Sequence, residues 1–373
     1  MKKILVTGAK GFLGKNLVCE IKNIFKENAE ILEVDIDTPQ SELDRYLEQC
    51  DFVAHLAGVN RPKDTDEFVT GNKELTEYIV QKLESCGNLV PVMISSSTQA
   101  ELDNPYGASK KAAENAVFDY SKKTGMKVFV YRFPNLFGKW CRPNYNSAVS
   151  TFCHNIANGL DITVNDPDFL LRLAYIDDVV KSVVSAINGH EIVKSGDFCT
   201  VEPVYEIKLG EVAELIYSFK KSRENLFVPD MSHGLAKKLY STYLSYLPTD
   251  EFSYPLKMNV DNRGSFTEFI KTAQNGQVSI NISKPHITKG NHWHHTKNEK
   301  FLVVSGTGVI RFRKTDSDEI LEYFVSGEKL EVVDIPVGYT HNIENTGDND
   351  MVTVMWANES FDPQNPDTYF LEI

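Results

Sequence analysis

The stretch Ile4-Leu5-Val6-Thr7-Gly8-Ala9-Lys10-Gly11-Phe12-Leu13-Gly14 constrains this chain more than any other. A short apolar strand runs directly into three glycines, and the helical spacing of Leu13, Leu17 and Ile21 starts before the last glycine is passed. Glycine at these places permits a tight turn, brings backbone N–H groups close to a pyrophosphate and lets the helix pack tightly on the strand. In this strand–turn–helix setting the pattern predicts a dinucleotide held along Gly8, Lys10, Gly11, Phe12, Leu13 and Gly14. About 20 residues on, the second apolar run ends at Asp35, where a carboxylate bonds the ribose hydroxyls of NAD. The same acid repels the 2′-phosphate of NADP, and Lys10 would offset that by pairing with the phosphate. From these residues NAD and NADP both stay open.

The glycine loop opens a longer alternation. Apolar runs at 31–34, 52–56, 90–94 and 128–131 are separated by helical patterns, which predicts a Rossmann-like, doubly wound parallel sheet. After about residue 253 the runs shorten and are punctuated by Gly, Asn and Asp, as in 301–304, 308–312 and 351–355, which predicts an all-β barrel. The 373 residues exceed the ~150 of one ordinary domain and divide here into 1–245, a linker at 246–252, and 253–373. A net charge of -13 argues against nucleic acid as a partner, and no apolar run approaches the ~20 residues of a membrane span. Six cysteines without a Cys-x-x-Cys pair, and no secretion signal, predict reduced thiols in a cytoplasmic protein.

Asn104-Pro105 caps and starts a helix that carries Tyr106 and Lys110 on one face, four residues and ~5–6 Å apart. An ammonium there is expected to lower the tyrosine pKa and suit the phenol to proton exchange with a sugar oxygen. Upstream, Ser95-Ser96-Ser97-Thr98 follows a strand, placing a hydroxyl where ligands bind in such sheets. These residues resemble the extended short-chain dehydrogenase/reductase family over roughly 1–245. The resemblance implies Tyr106 as acid/base, Lys110 as its partner and Ser97, or else Ser96, as the hydroxyl that polarises a carbonyl. His55-Leu56-Ala57-Gly58 resembles the segment lining the nicotinamide, so Leu56 and Ala57 join the cofactor residues, although the family's usual asparagine is absent. Segments 132–138 and 173–178 are similar to those bordering a nucleotide-sugar pocket.

Five of the nine histidines lie beyond residue 280. On a strand His292 and His294 point to one face, Glu299 returns from the next strand, and His341 arrives from a distant one, a set that suits a divalent metal. The segments around 290–306 and 327–345 resemble the two cupin motifs, which implies His294, Glu299 and His341 as ligands and zinc as the metal. His292 has two readings. Cupins use the first histidine of His-x-His as a ligand, but Lys289-Gly290-Asn291-His292 resembles the Arg-Gly-x-His of dTDP-sugar 3,5-epimerase cupins, in which the histidine is the base. There Lys289 keeps the charge of the family's arginine without its bidentate fork. Three ligands with an open corner are what catalytic zinc requires, which favours His292 as base.

A reductase fused ahead of such a cupin resembles the bifunctional capsule enzymes that act on UDP-linked 4-keto amino sugars. The resemblance implies C3 epimerisation by the cupin, NADPH-dependent C4 reduction by the first domain, UDP-2-acetamido-2,6-dideoxy-L-talose as product, and a homodimer. The competing expectation is a redox-neutral, NAD-retaining UDP-sugar epimerase or dehydratase whose cupin only binds or dimerises.

Overall fold

The computed structural model describes residues 1–62, 64, 66–190 and 192–373. The chain forms two compact units, Met1–Ile216 with Gly234–Pro248, and Tyr217–His233 with Thr249–Ile373.

In the first unit, β1 (Lys2–Thr7), β2 (Ala29–Val34), β3 (Phe52–His55), β4 (Val92–Ser97) and β5 (Val128–Phe133) lie in the order β2-β1-β3-β4-β5, all parallel. Short strands at Phe198–Cys199 and Lys194–Ser195 extend the sheet beyond β5. Both faces are covered. Leu13, Leu17 and Ile21 pack with Val179, Val180 and Val183 on one side, and Leu43, Ile79, Leu83 and Val117 fill the other. Strands buried on both faces explain why their sequences read as unbroken apolar runs. The strand order reverses between β1 and β3, and ligands of such sheets bind at the carboxyl ends beside that reversal.

The second unit is built of antiparallel strands in two sheets. One runs in the order 258–261, 264–272, 276–283, 351–357, 299–305, 332–335, and the other 320–326, 307–314, 339–345, 288–293, 369–370. Phe301, Val303, Ile310, Phe312, Ile335 and Ile343 form the core, as alternating inward residues of packed sheets should. Residues 217–233, expected within 1–245, fall in this second unit. Val228 N donates to Lys271 O and Lys271 N to Leu226 O, a parallel bridge that ties the segment to the strand 264–272. Among the described residues no helix is long and apolar enough to cross a membrane.

Candidate active site and metal centre

In the first unit Gly8 follows β1 at φ +66°, and a Cβ there would stand 2.8 Å from the backbone N of Ala57. Glycine therefore lets the loops after β1 and β3 meet. A Cβ on Gly14 would come to 2.1 Å from Gly8 O, so the helix Phe12–Phe25 can lie this close only with glycine. That helix starts at Gly11 with no side-chain cap and no acidic residue in its first turn. Its first N–H groups need an acceptor, and the positive end of the helix dipole favours an anionic one. A pyrophosphate fits this cradle. Asp35 lies at its rim, accepting Lys10 N at 2.7 Å and Ile36 N at 2.9 Å. The exposed Lys10 ammonium pairs with Asp37, so two carboxylates and one cation stand together at the rim of the cradle.

Asn104 caps the helix Pro105–Thr124 by accepting Gly107 N at 2.7 Å, which orients Tyr106 in the first turn. The phenol donates to Asn60 Oδ1 at 3.0 Å, and Ser97 opposes the rise that burial gives its pKa. Of the two candidate serines, Ser96 is buried and donates to Glu114 Oε1 at 2.6 Å, while Glu114 is clasped by Arg132. Ser96 is thus part of a buried ionic network, and Ser97 is the hydroxyl beside Tyr106. The buried Lys110 Nζ donates to Ser95 O at 3.2 Å and lies 5.9 Å from the centre of the Tyr106 ring. Here the expected pKa effect is corrected. Burial pushes the phenol up, opposed by Ser97, and burial pulls Lys110 down to about 8 against the pull of Glu114. An ammonium itself weakened by desolvation, turned to a carbonyl, does not outweigh the desolvation of the phenol.

Three residues given no individual role from the sequence complete this site. Asn72 lies in a π-helical turn, Val69–Glu74, accepts Val59 N at 2.9 Å and donates to Ser109 Oγ at 3.1 Å. A Cβ on Gly58 would approach both Asn72 Oδ1, at 2.8 Å, and Lys110 Nζ, at 2.9 Å, so Asn72 props the lysine side of the site. Such π turns gather at functional sites, but no residue pattern announces one. Asn60 holds the phenol. The third, His55, is fully enclosed between Thr7 Oγ1 at 2.7 Å and Thr76 Oγ1 at 3.0 Å, and burial, then the charge of Lys110, pull its pKa down to about 3. Its folded form resists protonation, so stability is full above pH 6.5 and declines as pH falls toward 3. At about 1.4 kcal/mol per pH unit, the expected loss is about 2 kcal/mol between pH 6.5 and 5. Urea unfolding at these two pH values should show that loss in the wild type and a flatter dependence in His55→Asn. An equal acid loss in the variant would remove His55 as its cause.

In the second unit the strand Thr288–Trp293 carries a bulge between Gly290 and His292, with Asn291 at φ +59°. Bulges re-aim side chains, and this one turns His292 toward His341 on the neighbouring strand Tyr339–Asn345. Their rings lie 4.5 Å apart, and His292 and His294 are 5.0 Å apart. The alternation holds, since His295 packs against Trp293 and Tyr369 instead. Glu299 opens the strand Glu299–Ser305 of the other sheet, and its Oε2 is 3.4 Å from both His294 Nε2 and His341 Nε2. One donor atom from each of His292, His294, Glu299 and His341 lies within 4.8 Å of the others. The set borders a cavity of about 710 Å³ that Lys289, Lys297, Arg263 and Asn281 also line. Lys289 Nζ donates to Asn281 Oδ1 at 2.9 Å and Ile282 O at 2.8 Å, and burial lowers its pKa, against the pull of Asp261.

The cluster fits a metal ion. His341 is buried, and among the described residues neither ring nitrogen has a hydrogen-bond partner; an unpartnered buried nitrogen costs about 1–3 kcal/mol, and a cation on Nε2 would relieve one of the two. Zinc bonds of ~2.0–2.2 Å put tetrahedral ligand atoms about 3.4 Å apart. Burial raises the Glu299 pKa, but the two imidazoles hold it well below the usual carboxylate range. Burial, reinforced by His341, brings His292 down to about 4, so its ring is neutral with a free lone pair.

Nucleotide cradle and strand order together define a dinucleotide-binding α/β fold, and residues 4–199 match the NAD dependent epimerase/dehydratase family. The chain belongs to that family. Residues 259–369 match the polysaccharide biosynthesis C-terminal domain. Over 367 residues the chain is 44% identical to the UDP-2-acetamido-2,6-beta-L-arabino-hexul-4-ose reductase of Pseudomonas aeruginosa, covering 98% of both. It is also similar to the crystal structure of the capsular polysaccharide assembling protein CapF from Staphylococcus aureus, with 56% identity and a TM-score of 0.94, covering 99% of this chain and 100% of that one. A UDP-glucuronic acid 4-epimerase from Bacillus cereus, solved with NAD, shares the fold at 19% identity and a TM-score of 0.53, covering 65% of this chain and 96% of that one.

Proposed function

We propose that the chain is a bifunctional nucleotide-sugar enzyme, in which the second unit epimerises a UDP-2-acetamido-2,6-dideoxy-4-keto-hexose at C3 and the first then reduces C4 with NADPH. The product is UDP-2-acetamido-2,6-dideoxy-L-talose, a precursor of UDP-N-acetyl-L-fucosamine for capsular polysaccharide, and the working form is a homodimer. The observation that carries this is the pairing of two built sites on one chain, a phenol–lysine site behind a nucleotide cradle and a buried His/Glu cluster on a cavity, along the full length shared with the Pseudomonas reductase.

A C4 ketone acidifies the neighbouring C3–H. His292, neutral and lining the cavity, takes that proton from one face and passes it to solvent, and a proton from water reaches the opposite face of C3, while Lys289, held by two acceptors, directs its remaining N–H to the negative oxygen. His294, Glu299 and His341 would hold zinc. When bound, zinc supplies positive charge beside the enolate and NADPH supplies the hydride. In the first unit Ser97 polarises the C4 carbonyl, Tyr106 gives its proton to the oxygen, and Lys110 orients and recharges the phenol. Gly8, Gly11, Phe12, Leu13 and Gly14 carry the cofactor phosphates, Leu56 and Ala57 border the nicotinamide, and Lys10 faces the 2′-phosphate.

Two observations favour second readings. Asp35 and Asp37 beside the ribose suit NAD and a redox-neutral reaction. His292, whose donor atom shares the 4.8 Å group, suits a fourth ligand. The purified protein should be incubated with the UDP-linked 4-keto sugar in D₂O, alone, with NADPH and with NADH. Deuterium at C3 without cofactor, and one NADPH consumed per product in preference to NADH, are expected. No net NADPH oxidation would establish the redox-neutral reading, and absent deuterium would leave the cupin without chemistry of its own.

A further inference from the structure

We infer that Asp367 is a positioning residue for the metal centre, which it serves by locking the C-terminal strap 366–371 and the turn 295–298 to each other. This rests on the His/Glu cluster being a metal site.

The two ligands His294 and Glu299 are joined by a turn of four residues, and one carboxylate holds three of its amides. Asp367 Oδ1 accepts His295 N at 2.9 Å, and Oδ2 accepts Thr296 N and Lys297 N, both at 2.8 Å, with Thr296 Oγ1 at 3.1 Å. The spacing of the ligands is therefore set from outside the turn. The backbone of the same residue reaches the ligand itself, since His294 Nδ1 donates to Asp367 O at 2.5 Å. That bond puts the ring proton on Nδ1 and leaves the Nε2 lone pair facing Glu299. A carbonyl behind a ligating imidazole fixes both its tautomer and its orientation.

Apolar burial does not keep the strap in place, because Tyr369 and Phe370 are exposed at 45% and 78%. Its anchors are polar. The buried Lys297 donates to Pro366 O at 2.8 Å and Thr368 Oγ1 at 2.7 Å, and Leu371 N donates to Asn291 O at 3.0 Å. Asp367 itself sits at φ +38°, a conformation that costs a non-glycine residue energy and persists where its surroundings impose it. The side chain that grips the turn thus also holds the carbonyl that orients the imidazole.

Zinc affinity of the full chain, measured by competition with a chromogenic chelator, tests this without any turnover. Asp367→Ala should weaken zinc about 10–100-fold, the range for lost outer partners of a metal-bound histidine, and Asp367→Asn, which keeps one acceptor, should fall between. Long-range ¹H–¹⁵N spectra of the metal-free protein should show the His294 proton on Nδ1 in the wild type and a tautomer mixture in Asp367→Ala. Far-UV circular dichroism and the cooperative thermal unfolding of the full chain serve as the folding control, and if Asp367→Ala fails it, Asp367→Asn carries the comparison. Zinc affinity within twofold of wild type, with the tautomer unchanged, would overturn the role. A wild-type protein that binds no zinc would instead overturn the metal reading on which the role rests.

Discussion

Tyr106→Phe loses NADPH oxidation by on the order of 10²–10⁴-fold while deuterium exchange at C3 of the 4-keto sugar continues at the wild-type rate. The expectation follows from where the phenol stands. It bonds Asn60 and stands near the end of β4 that carries Ser97, in the unit proposed to reduce C4, while the His/Glu cluster proposed for C3 belongs to the other unit. Phenylalanine keeps the ring and its packing on Phe68, whose centre is 5.5 Å away, so the loss reports the hydroxyl and not the fold. Lys110→Met should reduce the rate comparably and for a related reason, because a phenol already raised by burial loses the ammonium 5.9 Å from its ring centre. The check is NADPH absorbance beside mass spectrometry of the sugar, run on the same samples. A Tyr106→Phe protein that reduces at the wild-type rate would displace the proton donor to another residue. A variant that loses both activities would mean the exchange needs the first site.

The parts that were legible in the sequence are those set by local chemistry. Gly8 and Gly14 are demanded by contacts of backbone with backbone, and Asn104-Pro105 by a helix start, so both are readable from local sequence. The histidine alternation was readable too, because period two survives as far as His295, which does face away from the cluster. What stayed hidden depends on distance in space. Ser96 and Ser97 are neighbours in one run, and only the partner Glu114, eighteen residues on, separates a structural hydroxyl from one beside Tyr106. The balance of burial against charge at Tyr106 and Lys110 cannot be read from an i, i+4 spacing, which supplies the charge and omits the desolvation. Asn72 acts through a π turn, and residues 217–233 through one strand pairing with Lys271; neither has a periodic signature.

The histidine variants carry the other large effect. His294→Ala and His341→Ala should each release the metal, because each supplies a buried imidazole that no neighbour can replace, and C3 exchange should vanish with it. His295→Ala should spare both, since that ring packs on Trp293 and Tyr369. His292→Asn divides the two roles left open for that residue. As base, it leaves zinc near one per chain and eliminates deuterium at C3. As a fourth ligand, it lowers zinc affinity by more than the 10–100-fold typical of outer partners, and exchange falls with metal occupancy. The base assignment gains from the arithmetic of coordination, because three protein ligands leave zinc a corner open to the sugar, whereas four close a tetrahedron. It also leaves Lys289 a consistent part, a cation near the oxygen whose charge grows as His292 takes the proton. Metal analysis and exchange on these four variants answer together. Zinc lost from His292→Asn would close the site around four ligands and transfer the proton chemistry to another group on the cavity wall, and zinc retained in His341→Ala would dismantle the ligand set itself.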